Sequence, residues 1–529
     1  MDEFTPEERN VLAPYFTNLD RPVFALTNLP EVVKGALFAR YSRSAKSLRR
    51  LFLDEFADTV TEATGVAQDP ESASRLFERV FVEYGDDSVA QLGGAHVAVE
   101  GISNVATKLL ERGRLMSYLE QSTRYIRYDQ PRNGSFLYLR PAEIDGMDVA
   151  ARYHDTMDHL FRAYSETTDR VRTHLGGDDG DPAWRRAALA ASLDAARGIL
   201  PAATTSNVGV YGSGQAYEAL LLRLYAHPLI EARELAQNLL RELEAVIPSF
   251  VKRVSRPERG GVWVEYLAER DAAAAELVNK LYGSTAARTV GCVGDDVAGI
   301  AVRLTSYGEH GEDRVLCAIA QEHSDLDHDA AWRQTRRLSP GERAQLMAAY
   351  VGRRTNRRHR PSRAFEEATY AFEILSDYGA FRDLQRHRML TVEWQTPTTI
   401  HGYVRPALVD AAGCAPLFDE AMERAHTLHE ALVRTRPDIA PYATCMAHRI
   451  RYTFTLNARE LMHLCELRST PQGHPAYRTV AQQMHQQVRD VAGHHLIADA
   501  MKFVDHTPSV GPGRLDAERD TEKRRSDKA

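Results

Sequence analysis

The sequence predicts an α+β fold, with helices around a modest sheet, repeated twice along the chain. Three observations predict it. Stretches rich in Leu, Ala, Glu and Arg, all good helix formers, dominate the chain. Two short stretches, AHVAVEGI at 95–102 and EATYAFEIL at 367–375, alternate enough to begin as strands. A set of polar residues recurs at a constant offset, the signature of a tandem repeat.

The repeat begins with Ser88, which precedes Arg112 by 24, as Ser362 precedes Arg386 by 24. The offset of 274 holds for Arg114 and Arg388, Ser117 and Thr391, Gln121 and Gln395, and Ser122 and Thr396. Further on, Arg223 and Arg233 are ten apart, as are Arg468 and Arg478, at an offset of 245. The second copy therefore has a shorter middle, which loss of the loop region 175–182 helps explain.

In chain order, residues 1–20 read as a polar lead-in. The first copy occupies 21–270. VAVEGISNVATKLLERGRL at 97–115 places Ile102, Val105 and Leu109 on one helical face. LGGDDGDP at 175–182 breaks the first half, and 216–246 and 457–468 read as strong helices. The small, Gly-rich stretch 283–296 is a linker. The second copy occupies 297–506. A charged tail, 507–529, lacks apolar periodicity and reads as disordered.

At 529 residues the chain has length for about three ordinary domains or two larger ones. With 43% hydrophobic and 26% charged residues it is globular, not a collagen, a coiled-coil rod or a mostly disordered chain. No apolar run reaches the ~18–20 residues of a membrane helix. The acidic start MDEFTPEERN is no signal peptide. Five cysteines, an odd number, point to a reducing cytoplasm. A net charge of −7 argues against a nucleic-acid partner. Only eight of the 66 basic residues are lysine, so arginine, a planar fork for phosphate and carboxylate, dominates. Genomic base composition accounts for most of that bias, and only arginines in patterned places carry weight.

One such place reads Arg112-Gly113-Arg114-Leu-Met-Ser117-Tyr-Leu-Glu120-Gln121-Ser122-Thr-Arg124-Tyr125. In an extended segment Glu120, Ser122 and Arg124 fall on one side, since side chains repeat every two residues. A carboxylate, a hydroxyl and a guanidinium on one edge suit a ribose and a phosphate. A solvated, salt-bridged edge strand is the bland alternative.

The segment resembles the R-H-R-x-x-S-x-N-E-x-S-x-R-Y signature of flavin-dependent thymidylate synthases, departing at Gly113 and Leu119. The second copy, Arg386-His387-Arg388-Met-Leu-Thr391-Val-Glu393-Trp-Gln395-Thr396, keeps R-H-R but has Thr398 and Thr399 in place of the final Arg-Tyr. Asn457-Ala-Arg459-Glu-Leu-Met-His463-Leu-Cys-Glu-Leu-Arg468 is similar to the family's flavin-holding helix. The first copy there has Gly212-Ser213-Gly214, yet keeps Arg223, and Arg197 before a Leu-Pro turn. The resemblance covers roughly 25–265 and 300–505.

That resemblance implies two tandem thymidylate-synthase-complementing-type domains, each with helices packed around a small, mainly antiparallel sheet. It implies an FAD-dependent enzyme that methylates dUMP with methylenetetrahydrofolate as carbon donor and NADPH as reductant. Arg468 would be catalytic, stabilising developing negative charge on the uracil ring. Glu120, Gln121, Ser122, Arg124, Arg197, Arg223 and Arg386 would bind substrate. Ser88, Arg112, Arg114, Ser362, Arg386, His387, Arg388, Asn457, Arg459 and His463 would hold cofactor. His387, flanked by cations, should be neutral. The losses in the two copies are largely complementary. The expectation is one composite site built from both copies, with two chains pairing as a pseudo-tetramer. A non-catalytic nucleotide- or flavin-binding scaffold, or methylation of another uridine nucleotide, are the alternatives. No metal is expected. His323, Asp325, Asp327 and His328 fit no standard zinc spacing, and His485, His494 and His495 are equally weak. Cys465 lies mid-helix beside Leu464 and reads as a buried, inert thiol. Gly212-Ser213-Gly214 lacks the third glycine of a dinucleotide loop.

Overall fold

The computed structural model describes residues 3–42, 44–57, 91–131, 134–176, 181–283, 291–295 and 297–508, with positions 515, 518, 519 and 523. Ser88, the centre of the loop 175–182, most of the linker 283–296 and nearly all of the tail beyond 508 lie outside the described residues. Packing divides the chain into two compact units. The first joins Met1–Ile102, Leu109–Glu120 and Ser206–Thr285; the second joins Ser103–Lys108, Gln121–Thr205 and Ala286–Ala529. This partition differs from the repeat: segment 121–205, from the first copy, packs with the second.

The first unit is built on β1 (Gly94–Ser103), β2 (Met116–Glu120) and β3 (Thr205–Ser213), in the order β1-β3-β2. β2 runs antiparallel to β3, with Met116 opposite Gly212 and Glu120 opposite Val208. Glycine is needed where β1 approaches β3: a Cβ on Gly94 would meet the Gly212 carbonyl oxygen at 2.6 Å. The segment expected as a helix over 97–115 is strand as far as Ser103, and helix only over Asn104–Leu110. The run 216–246 is two helices, Gly214–Tyr225 and Ile230–Val246. Pro228 stands in the gap, where it disfavours helical geometry for the residue before it. Tyr217, Leu220, Leu221, Leu239 and Leu243 form the core, and the Tyr217 hydroxyl donates to the Ala95 carbonyl at 3.1 Å.

The second unit is built on β4 (Ala301–Tyr307), β5 (Thr369–Asp377), β6 (Thr391–Trp394) and β7 (Arg449–Asn457). They form one antiparallel sheet in the order β4-β5-β7-β6. Alternation along β5 buries Tyr370, Phe372 and Ile374. The order β5-β7-β6 reproduces β1-β3-β2, and each central strand runs straight into a capped helix. The duplication is thus present in topology as well as in sequence. The first copy carries helices Asp148–His174 and Pro182–Ala196 in its middle, where the second has Ala415–Thr435 as its one long helix. An additional helix, beyond the loop 175–182, underlies the change of offset. Helix Asp148–His174 packs on both others, burying Tyr153, Leu160 and Phe161 on its side and Phe418, Met422 and Leu428 on that of Ala415–Thr435. Among the described residues, no helix is long and apolar enough to cross a membrane.

Behind helix Ala458–Arg468 the side chains of Arg354 and Glu466 pair at 2.5 Å while only 1% and 2% exposed. Arg354 also donates to the Ala500 carbonyl at 2.6 Å. Removing one partner of such a pair strands a buried charge. Glu466→Ala should therefore cost about 3–5 kcal/mol, read as a shift of the urea midpoint of the second unit. A shift below ~1 kcal/mol would show that the pair behaves like a surface ion pair.

Candidate functional site

Within the second unit, side chains from both copies of the repeat come together. They come from the turn after β2, from a short 3-10 turn at Arg197–Ile199, from helix Tyr378–Leu384 and the loop behind it, and from helices Ala458–Arg468 and Pro475–Asp490. β2 ends at Glu120, and the Ser122 carbonyl accepts the Tyr125 amide at 3.2 Å, so the chain turns. The strand alternation expected of Glu120, Ser122 and Arg124 therefore stops at Glu120. Glu120 is buried at the end of β2 in the first unit, while Gln121, Ser122 and Arg124 belong to the second.

Arg124 is buried. Its Nε and Nη2 donate to the two Asp194 carboxylate oxygens, each at 2.6 Å. Its Nη1 donates to the Tyr477 hydroxyl at 2.7 Å. Burial opposes the charge on Arg124, but Asp194 outweighs it and holds the pKa above the usual arginine value. The guanidinium carbons of Arg124 and Arg468 lie 5.6 and 5.5 Å from the centre of the Tyr477 ring. One arginine of each copy thus rests on the same aromatic ring.

Arg197 and Arg386 meet at Asp383. Arg197 Nη1 donates to Asp383 at 3.3 Å, and Arg386 forms a close ion pair with its other oxygen. Burial pushes the Asp383 carboxyl up, but Arg386, Arg197, Arg468 and Arg124 together hold it well below the usual range. Arg197 Nη2 is buried and has no hydrogen-bond partner among the described residues. Nearby, Asp377 Oδ1 caps helix Tyr378–Leu384 by accepting the Ala380 amide at 2.8 Å. Burial pushes Asp377 up to about 6, against the pull of Arg197. Four guanidiniums thus face two firmly ionised carboxylates and a third that titrates near neutrality. The excess positive charge suits an anion.

Beside this cluster His387 accepts a hydrogen bond from Arg468 Nε at its Nε2, 3.0 Å away. Its Nδ1 faces Glu460 at 2.9 Å. Burial, with Arg468 and Arg386, holds His387 well below the usual histidine value, so it is neutral, as its flanking arginines imply. Glu460 is pushed up by burial, and His463 is pushed down to about 4, chiefly by burial. The ligand atoms of His387, Glu460 and His463 lie within 4.8 Å of one another, close enough for one metal ion. Arginine Nε–H is always a donor. His387 Nε2 must therefore be unprotonated and Nδ1 must carry the proton towards Glu460. In this arrangement the atom facing the cluster has no lone pair to give a metal.

Asn457 caps helix Ala458–Arg468, its Oδ1 accepting the Glu460 amide at 2.9 Å. Arg459 donates to the Pro361 carbonyl at 3.0 Å and lies 3.6 Å from Glu366. Ser362 and Arg388 are exposed. The remaining candidates stand in the first unit. Arg112 and Arg114 are exposed there, whereas Arg223 has a buried Nη2 with no hydrogen-bond partner among the described residues and a pKa lowered by burial, Arg112 lowering it further. Gly113 stands where the second copy has His387, and a Cβ on it would meet the Tyr118 hydroxyl at 2.8 Å. Arg223 is ten residues beyond its cap Ser213; Arg468 is eleven beyond Asn457. One residue is ~100° of helix, so the two arginines leave their helices on different faces.

Four residues escaped the sequence reading. Asp383 and Glu460 had a local signal: one lies three residues before Arg386, the other three after the Asn457 cap, where the helix dipole favours a carboxylate. Asp194 and Tyr477 had none, because they meet Arg124 across 70 and 353 residues. Cys465 is buried, and burial pushes its thiol up, as expected of an inert cysteine. Asp327 serves as the cap of helix His328–Thr335. Gly212 lies against Met116, and Ser213 caps a helix.

The family described as "Thymidylate synthase complementing protein" matches residues 35–249 and again 303–493, and the chain belongs to it. A protein of Chlamydia pneumoniae described as "UPF0159 protein" is 37% identical over 535 residues, covering 98% of both chains. A flavin-dependent thymidylate synthase of Mycobacterium sp. (strain JLS) is 32% identical over 206 residues, covering 37% of this chain and 77% of its own. The crystal structure of thymidylate synthase X from Helicobacter pylori with FAD and dUMP matches at a TM-score of 0.29 with 18% identity. It covers 38% of this chain and 99% of that one.

Asp377 gives the site a pH signature. Its folded pKa of about 6 lies above the ~3.9 of an unfolded aspartate. Folding therefore favours its protonated form, and stability falls as pH rises from about 4 to about 6. Asp377→Asn can keep the cap and removes the titration. The variant should gain up to about 3 kcal/mol on the wild type between pH 4 and pH 7, measured by urea unfolding. An equal difference at both pH values would refute the buried titration.

Proposed function

We propose that the chain is an FAD-dependent thymidylate synthase whose single composite site draws on both copies. The observation that carries this reading is the meeting of Arg124 and Arg468 on Tyr477, with Arg197 and Arg386 beside them on Asp383. In this reading Arg124, Arg197 and Arg386, with Gln121 and Ser122, hold the phosphate and ribose of dUMP. The buried, unpartnered Nη2 of Arg197 is a donor suited to a phosphate oxygen. Arg468 faces the uracil ring and stabilises the negative charge that develops there, fixed in place beforehand by His387 and Tyr477.

The residues around Asn457 fit a flavin by the chemistry of their donors. Arg386, Arg388 and Arg459 supply guanidiniums for a diphosphate, and Ser362, Asn457 and His463 supply neutral polar groups. A bound FAD supplies the two-electron reduction that completes the transferred methyl group. NADPH and methylenetetrahydrofolate are the co-substrates. Ser88, Arg112, Arg114 and Arg223 belong to the diverged half, and a homodimer would bring two composite sites together in a cytoplasmic enzyme.

Burial of both Asp194 oxygens against Arg124 favours a second reading, a nucleotide- or flavin-binding scaffold, because part of the anion-binding surface is already taken. Visible spectra of the purified protein separate the two. The enzyme reading expects about one flavin per chain, bleached by NADPH and perturbed by dUMP, followed by dTMP formation; UMP as substrate tests the related methylation. Arg468→Lys should lower kcat by about 10²–10³ with KM for dUMP little changed. Arg124→Ala should instead raise KM by about ten- to a hundredfold. A protein that binds FAD or dUMP but forms neither dTMP nor methylated UMP would establish the scaffold reading.

A further inference from the structure

We infer that Glu460 is a positioning residue, acting through His387 to aim the Arg468 guanidinium at the substrate ring. The chain of contacts is continuous. Glu460 accepts from His387 Nδ1–H at 2.9 Å, and His387 Nε2 accepts from Arg468 Nε–H at 3.0 Å. His387 and Glu460 are only 5% and 7% exposed, so little water competes for either bond. The directions follow from chemistry. Arginine Nε can only donate, which fixes the unprotonated nitrogen of His387, and the ring's other nitrogen must then donate to the carboxylate.

Each link has a local cause. Glu460 is the third residue of helix Ala458–Arg468, where the unpaired amides of the first turn favour a negative charge. Arg468 ends the same helix, where the unpaired carbonyls favour a positive one. Eight residues separate them, just over two turns, so the helix itself presents both to the same side. His387, between two arginines of the R-H-R segment, spans the gap from outside the helix.

Occupying Nε has a geometric consequence. Arg468 is left with Nη1 and Nη2, the end-on fork of the guanidinium. That fork remains available to donate to a bound ligand. The side-on fork, Nε with Nη2, is the one Arg124 uses on Asp194. The contact with His387 thus limits which donors of Arg468 can face a ligand. Two of these residues, His387 and Glu460, also form with His463 the one candidate metal cluster among the described residues. With its proton on Nδ1, His387 offers no lone pair on that side.

Two measurements test the inference, on the full-length, flavin-loaded protein. Proton–nitrogen correlation spectra of histidine-labelled protein, with His387→Gln used for assignment, should show His387 neutral at pH 7 with its proton on Nδ1. A proton on Nε2, an imidazolium, or about one tightly bound zinc per chain would overturn it. This arm does not depend on the reaction. The second arm rests on the proposed thymidylate synthesis. Glu460→Ala should lower kcat by about 10–100-fold, the usual effect of losing the partner that orients a functional histidine. Flavin content and KM for dUMP should hold. Glu460→Gln, which can still accept from Nδ1–H, should recover most of the loss. Equal losses in both variants, or a loss confined to KM or to flavin content, would overturn the positioning role. Should the wild type form no dTMP, the tautomer alone decides.

Discussion

Four guanidiniums cannot share a small volume unless carboxylates hold them there, and the composite site depends on two that do. Asp383 draws Arg197 and Arg386 together, and Asp194 takes both donors of one Arg124 edge. Their ionisation is mutual. Burial alone would protonate Asp383, and the surrounding arginines alone keep it charged. The arrangement also explains why the site is positive without being open to any anion. Part of every guanidinium is already committed to the protein, so an incoming phosphate meets a preset, partial complement of donors. Tyr477 completes the frame: its ring supports Arg124 and Arg468, and its hydroxyl takes the remaining Arg124 nitrogen.

The partition into units follows from where those interactions run. Segment 121–205 carries Arg124, Asp194 and Arg197, each of which bonds to residues of the second copy, or to a neighbour that does. The sheets keep the older record. Both retain the same strand order and the same central strand leading into a capped helix. Topology preserves the duplication, while side-chain pairing has moved a large part of the first copy into the unit built around the second.

Much of the fold was legible because it rests on local pattern. Alternation announced β1 and β5, and the run of good helix formers at 457–468 announced a helix. The errors are also local in origin. Ile102, Val105 and Leu109 have helical spacing, but Ile102 is still in β1; the pattern crosses an element boundary. Pro228 should have divided 216–246 and was outweighed by the strength of the pattern on either side. Glu120, Ser122 and Arg124 alternate only on the premise of an extended chain, and a turn at Ser122–Tyr125 removes the premise. For the site, the arginines were visible and their carboxylates were not. An arginine in a recognisable motif carries information by itself. Asp194 and Asp383 acquire meaning only when folding brings them to those arginines, over distances that no local pattern spans.

The divergence of the first copy has a physical direction. At Gly113 the Tyr118 hydroxyl stands where a side chain would begin, so the place of the histidine has been filled from a neighbouring residue. Arg223 has shifted by one helical position against its cap and retains a buried nitrogen with no partner. An unpartnered buried donor costs ~1–3 kcal/mol. The second copy keeps the opposite half: the R-H-R arginines and histidine, the cap, and an arginine at the end of the helix. Where two copies in one chain each supply a different half, loss of the redundant half in each carries no penalty as long as the halves that remain pack together. In this chain Arg124 of the first copy and Arg468 of the second rest on the ring of Tyr477, a residue that neither repeat predicted.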